Sequence, residues 1–203
     1  MAAPEILLTE EQRLEFTQIP QNISEWDIAK HYTFTVNDME IINRHRRNYN
    51  RLGFAVQLCC LRNPGWSLSN LSNIPDIVLR YIADQLSVNP AEFEQYAKRE
   101  NTRLEHLQEL RDEYGYKNFT DNDNNYLLGF LIPYAMENDN CERLVRFAIE
   151  NLKKQMIILP GITTIEKIVN ESIIKANNTV INLINESLRQ TKARFKRIDR
   201  SAY

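Results

Sequence analysis

Five arginines, Arg44, Arg46, Arg47, Arg51 and Arg62, stand between Ile41 and Pro75 without one carboxylate among them. The whole chain carries more acids than bases, with a net charge of −2, so this local positive excess is informative. Arginine neutralises phosphate oxygens and, in a major groove, reads guanine, while asparagine reads adenine. Arg44, Arg46, Arg47, Asn48 and Arg51 are therefore the first candidate nucleic-acid contacts. On a continuous helix Arg44, Arg47 and Arg51 fall at i, i+3 and i+7 and share a face. A new helix starting at Asn48 would abolish that face, and the sequence leaves both arrangements open. The competing reading, a solvated arginine face paired with acids elsewhere, carries equal weight.

A second set lies in Tyr96–Tyr116, YAKRENTRLEHLQELRDEYGY. Lys98 and Arg99 occupy a turn suited to phosphates. Asn101, Thr102, Arg103 and His106 occupy the first turns of the helix that follows, where recognition helices contact bases. Glu100, Glu105, Glu109, Asp112 and Glu113 make the stretch net negative and confine any contact to its start. Without its context, such a mixed-charge helix is more commonly a solvated helix on a bundle.

Other chemistries lack their residues. His31, His45 and His106 are the only histidines, and they form no His-Glu-x-x-His. Cys59 and Cys60 are adjacent, a spacing that suits neither a redox dithiol nor a zinc site, and with Cys141 they read as buried thiols in a reducing compartment. Five scattered glycines provide no phosphate-cradling loop. Asp121, Asp123, Asp139 and Glu142 lie at helix starts, where carboxylates cap amides. No enzyme, metal or cofactor is expected. The N-terminus is not patterned as a signal peptide, and no apolar run suffices for a membrane span, so a cytoplasmic protein without a membrane partner is expected.

The elements that position both sets are helical throughout. Thr9 with Gln12 opens a helix over Glu10–Thr17, Ser24 with Asp27 opens another as far as His31, and Thr35 caps a third with Phe34 and Met39 as a staple. Leu52–Leu61 is apolar all round and predicts a core helix, ended by Asn63-Pro64-Gly65. After a Ser/Asn-rich loop, Pro75 sits at a first helical position, with Ile77, Val78, Tyr81, Ile82 and Leu86 as a helical stripe. Asn89-Pro90 starts a short helix. The next has Leu104, Leu107, Leu110 and Tyr114 inward and stops at Gly115. Thr120 opens a helix whose middle, YLLGFLIPYAM, is expected to be buried, with Pro133 kinking or ending it. Asp139 with Glu142 opens one that carries Leu144, Val145, Ala148, Ile149 and Leu152 along one face. From Thr163 a long helix runs to Leu188, with Asn177-Asn178 as its expected interruption, and a basic tail follows. The expected architecture is all-α: two trihelical, helix-turn-helix-like units, then core helices and a long C-terminal helix. The expected divisions are 1–66, 67–159 and 160–203.

Several blocks carry a family resemblance. NRLGFAVQL from Asn50 to Leu58, LRNPG from Leu61 to Gly65, Tyr96-Ala-Lys-Arg99, Thr102-Arg103, His106-Leu107, Gly115-Tyr116 and PGITTIE from Pro160 to Glu166 stand in register. Together they resemble the N-terminal domain of Tn-three family replicative transposases, over roughly Leu7 to Leu188. The resemblance implies an all-helical module that binds double-stranded DNA at terminal inverted repeats, ahead of a catalytic domain of the RNase H-like type that lies outside these residues. The alternative is a helical interaction module. It would use the long C-terminal helix to bind itself or an intact transposase, as a competing regulator.

Overall fold

The computed structural model describes residues 7–71 and 73–201, with side chains described as far as Lys192. Its elements are α1 (Glu10–Thr17), α2 (Glu25–Tyr32), α3 (Val36–Ile42), α4 (Asn48–Arg62) and α5 (Asp76–Gln85). A 3-10 turn (Pro90–Glu92) leads into α6 (Phe93–Ala97), and α7 (Glu100–Tyr114), α8 (Asp121–Glu137), α9 (Cys141–Lys154) and α10 (Ile162–Ser201) follow. Among the described residues no strand forms; one isolated parallel bridge joins Lys117 to Ile157. The expected all-α class is what the structure shows.

Helix starts follow the capping chemistry closely. The Thr9 hydroxyl accepts from the Gln12 amide at 3.2 Å, and the Gln12 side chain accepts from the Thr9 amide at 2.9 Å. Thr35 with Asp38 and Thr120 with Asp123 form the same reciprocal box. Three starts shift by one residue, among them α10, which begins at Ile162 rather than Thr163. Pro75 is the N-cap rather than the first residue of α5. Asn140, not Asp139, accepts from the Arg143 amide at 2.9 Å at the head of α9.

The chain divides into two compact units. The larger comprises residues 8–119 and 149–164. Its centre is α4, in which every residue from Leu52 to Leu61 is buried. Ile28, Tyr32, Ile42, Val78, Ile82 and Leu110 complete this core. Cys59 and Cys60 lie inside it, and burial pushes both thiols up, Cys60 to about 12. One buried polar node holds three helices. Asp38, 1% exposed, accepts from Arg62 at 2.7 and 2.9 Å and from the Tyr114 hydroxyl at 2.9 Å. It thereby ties α3 to the last residues of α4 and α7. Burial by itself would raise the Asp38 carboxyl pKa, but hydrogen bonds from Arg62 and Thr35 outweigh it and lower it to about 2. At Gly53, an added Cβ would stand 2.1 Å from the Tyr96 ring, so only glycine lets α6 lie this close on α4.

Of the described residues, the second unit contains Leu7, 120–148 and 165–201. The expected burial of the middle of α8 holds for one face only. Leu127, Leu128, Leu131 and Ala135 are buried, while Tyr126, Tyr134 and Met136 are exposed. A helix covered along one stripe leaves its other positions outside, and Tyr126, Phe130 and Tyr134, at i, i+4 and i+8, stack along that outer side. Pro133 remains within the helix, and the Gly129 carbonyl it leaves without an amide belongs to an exposed residue. Asn177-Asn178 does not interrupt α10. Ile165, Ile168, Val169 and Ala176 are buried, but Ile174, Ile181, Leu183, Ile184 and Leu188 are each more than half exposed. No helix among the described residues is long and apolar enough to cross a membrane.

Replacing Asp38 by Ala leaves the Arg62 guanidinium half-buried without its carboxylate. The expected loss is about 3 kcal/mol in urea unfolding. An Asp38→Ala, Arg62→Ala double variant should lose less than the sum of the two single changes.

Candidate nucleic-acid interface

The two basic stretches arrive at the surface through a turn and two helix starts. α3 ends at Ile42, Asn43 caps it, and the backbone turns as far as Arg47, the N-cap of α4. Arg44, Arg47 and Arg51 therefore do not share a helical face. Of the two arrangements open in the sequence, the structure adopts the new helix at Asn48. Arg99 is the N-cap of α7. An arginine side chain has no acceptor, and neither start receives a side-chain cap hydrogen bond, in contrast to the Thr and Ser caps of α1, α2, α3 and α8. Each start therefore keeps outward amide N–H groups and the positive end of its helix dipole.

One ring joins them. Tyr49, 7% exposed, has the Arg47 guanidinium 5.7 Å and the Arg99 guanidinium 4.8 Å from its centroid. Arg47 Nη1 also donates to the Tyr49 hydroxyl. Stretches some fifty residues apart in sequence thus form one surface. Arg44, Arg46, Arg47, Asn48, Lys98, Arg99 and Asn101 are exposed on this unit. Arg44 is partly engaged, donating to Glu113.

The remaining candidates sit deeper. Arg51 is half-buried and donates to the Leu86 carbonyl at 3.0 Å. Thr102 and Arg103 are half-buried, and the Arg103 carbonyl accepts from Gln57 at 3.0 Å. His106 is turned inward, at 5% exposure, while Leu104, expected on the inner face, is 59% exposed. The helix is rotated from the expected orientation because His106 has polar partners inside. Its Nδ1 lies 3.1 Å from the Tyr96 hydroxyl, which also accepts from Gln57 Nε2, and its ring lies 4.4 Å from that of His45. An imidazole with a hydrogen-bond partner and ring neighbours can occupy a core position.

Charge is expensive there. Burial, and then the neighbouring His45, lower the His106 pKa to about 4. Burial and Arg44 lower that of His45. Both imidazoles are neutral at pH 7. Tyr49, Gln57 and Tyr96 organise this region, and the sequence reading did not select them as site residues. The only local signal was an aromatic directly after the basic turn. Among the described residues, no group of three or more His, Cys, Asp or Glu is placed to hold a metal ion.

The two uncapped helix starts give this all-helical module an arginine-rich surface. The particular family is shown by comparison: residues 7–172 match the model described as "Domain of unknown function (DUF4158)", and the chain belongs to that family. It is 43% identical over 182 residues to the transposase for transposon Tn1546 of Enterococcus faecium, covering 90% of this chain and 18% of that protein. It is 35% identical to the transposase for transposon Tn501 of Pseudomonas aeruginosa, with the same coverage of each. With the transposase for transposon Tn21 of Escherichia coli it shares 35% identity over 95% of this chain and 19% of that protein. The resemblance read from the motif blocks is thereby met. The chain spans about a fifth of the length of these curated relatives and corresponds to their N-terminal region.

The depressed histidines set a pH dependence. The unfolded chain protonates His106 below about 6.5, while the folded chain resists protonation until about 4. Stability is therefore complete above the unfolded value and is lost as pH falls between the two. For His106 the loss should approach about 3 kcal/mol by pH 4, read from urea melts. A His106→Leu variant should flatten the profile across that window.

Proposed function

We propose that this chain is a sequence-specific binder of double-stranded DNA that recognises transposon terminal inverted repeats, as the non-catalytic N-terminal domain of a transposase. The observation that carries this reading is the convergence of Arg47 and Arg99, each at an uncapped helix start, on the Tyr49 ring. The relatives' names as transposases for transposons support DNA as the partner. In this reading Arg44, Arg46, Arg47, Lys98 and Arg99 grip phosphates. Asn48, Asn101, Thr102 and Arg103 face base edges from the first turns of α4 and α7. Arg51 and His106 act from beneath, by holding backbone and ring positions. The chain works in the bacterial cytoplasm, needs no cofactor and does not itself cut or join DNA.

Binding to an inverted-repeat duplex and to an unrelated duplex of equal length tests this. The expected result is tighter binding to the repeat, with affinity falling steeply and linearly in log–log form as salt rises. Arg103→Ala should narrow the gap between duplexes, whereas Arg47→Ala should weaken both alike. Equal affinity of the unmodified chain for the two duplexes would refute the specificity.

A specific observation also favours a role for α10 in association. Ile174, Ile181 and Leu188 recur every seven residues with Ile184 between them, all on exposed positions. That spacing is the seam of a helix pair, and it suits a second copy or an intact transposase. Light scattering with and without DNA should show a dimer that Ile181→Lys with Ile184→Lys abolishes. A monomer at all concentrations excludes self-association.

A further inference from the structure

We propose that Tyr49 is a positioning residue for DNA binding, holding Arg47 and Arg99 as one preordered phosphate clamp. The inference rests on the DNA reading above and names the side chain that makes its two basic turns act together. An exposed arginine samples many rotamers, and fixing it on a ligand costs affinity. Here both guanidinium groups lie within 6 Å of one ring centroid, and that ring is itself held in place by burial. Contact with a ring engages the π face of a guanidinium and leaves its in-plane N–H edge able to bond a phosphate with two parallel hydrogen bonds. Arg47 spends one further N–H on the Tyr49 hydroxyl.

The electrostatics point the same way. Arg44 and Arg62 find carboxylates, in Glu113 and Asp38. Among the described residues no carboxylate pairs with Arg47 or Arg99, although they share one ring. Two like charges gathered beside two positive helix ends repel each other in the free protein. A phosphate placed between them relieves that repulsion and meets the free amides of the helix starts. Because the clamp consists of N-cap residues, it grips backbone and contributes equally on any sequence.

The test compares the unmodified chain with Tyr49→Phe, Tyr49→Leu and an Arg47→Lys, Arg99→Lys double variant, against inverted-repeat and unrelated duplexes. The ring is kept in Tyr49→Phe, which should bind within about twofold of the original. Tyr49→Leu fills the core without a π face and should weaken both duplexes by about tenfold, leaving their ratio unchanged. The double lysine variant alters only surface residues and keeps the charge, so it remains folded if Tyr49→Leu does not. It should lose a similar factor, because an ammonium has no planar face or edge. Adding Tyr49→Leu to it should cost nothing more. In the free protein, ring-current shifts on the Arg47 and Arg99 side chains should be present and should vanish in Tyr49→Leu. Undiminished binding by folded Tyr49→Leu, or by the lysine pair, overturns the positioning role while leaving DNA binding intact. Absence of binding by the unmodified chain overturns the DNA reading and the clamp with it, whatever the ring-current shifts show.

Discussion

The buried carboxylate of Asp38 is the constraint on which the larger unit turns. It takes a bidentate arginine from the last residue of α4 and a hydroxyl from the last residue of α7. At the other end of the same two helices, Arg47 and Arg99 meet over Tyr49. With both ends fixed in this way, α4 and α7 run in the same direction and begin at the same place. Their dipoles therefore add at the surface where their first amides are uncapped. Antiparallel packing would have placed the negative end of one beside the positive end of the other and cancelled the effect. A carboxylate far from the surface thus decides where positive potential appears.

Between these fixed points the packing leaves little freedom. Gly53 admits the Tyr96 ring against the α4 backbone, and the Tyr96 hydroxyl then joins Gln57 to His106. This places α6 and the turn after it, with Lys98 and Arg99, next to the start of α4. Gln57, Tyr96 and His106 satisfy one another there, whereas His45 Nε2 is buried without a hydrogen-bond partner and its ring packs on Phe54 and His106. The same arrangement makes the packing sensitive to acid, since protonating His106 would put a charge beside His45 with no carboxylate in contact with its ring. Glu109 lies 3.6 Å from His45 Nε2.

Much of the architecture could be read from local chemistry. The boxes at Thr9, Thr35 and Thr120 involve atoms three residues apart, so the residues that cap a helix start are adjacent on paper. The apolar run of α4 and the glycine stop at Gly115 are equally local. Less legible were the orientations. Leu104 and His106 differ by two positions on α7, and hydropathy favours the leucine inside. The structure buries the histidine because Tyr96, Gln57 and His45, from other elements, offer it partners. The exposed side of α8 and the exposed Ile/Leu stripe on α10 were likewise invisible, because burial depends on how much of a helix its neighbours can cover.

The sequence by itself determined the all-α class, most helix boundaries, the family and the two sets of basic residues. Capping, periodicity and motif order act over a few positions and leave their record in the order of residues. Only the tertiary structure decided that Arg44, Arg47 and Arg51 share no helical face, that His106 faces the core, and that Arg47 and Arg99 meet on Tyr49. The first turns on the backbone between Asn43 and Arg47, and the other two on contacts that bring Tyr96 and His45 to His106 and Arg99 to Tyr49. The parallel setting of α4 and α7 is the physical reason the two sets became one surface.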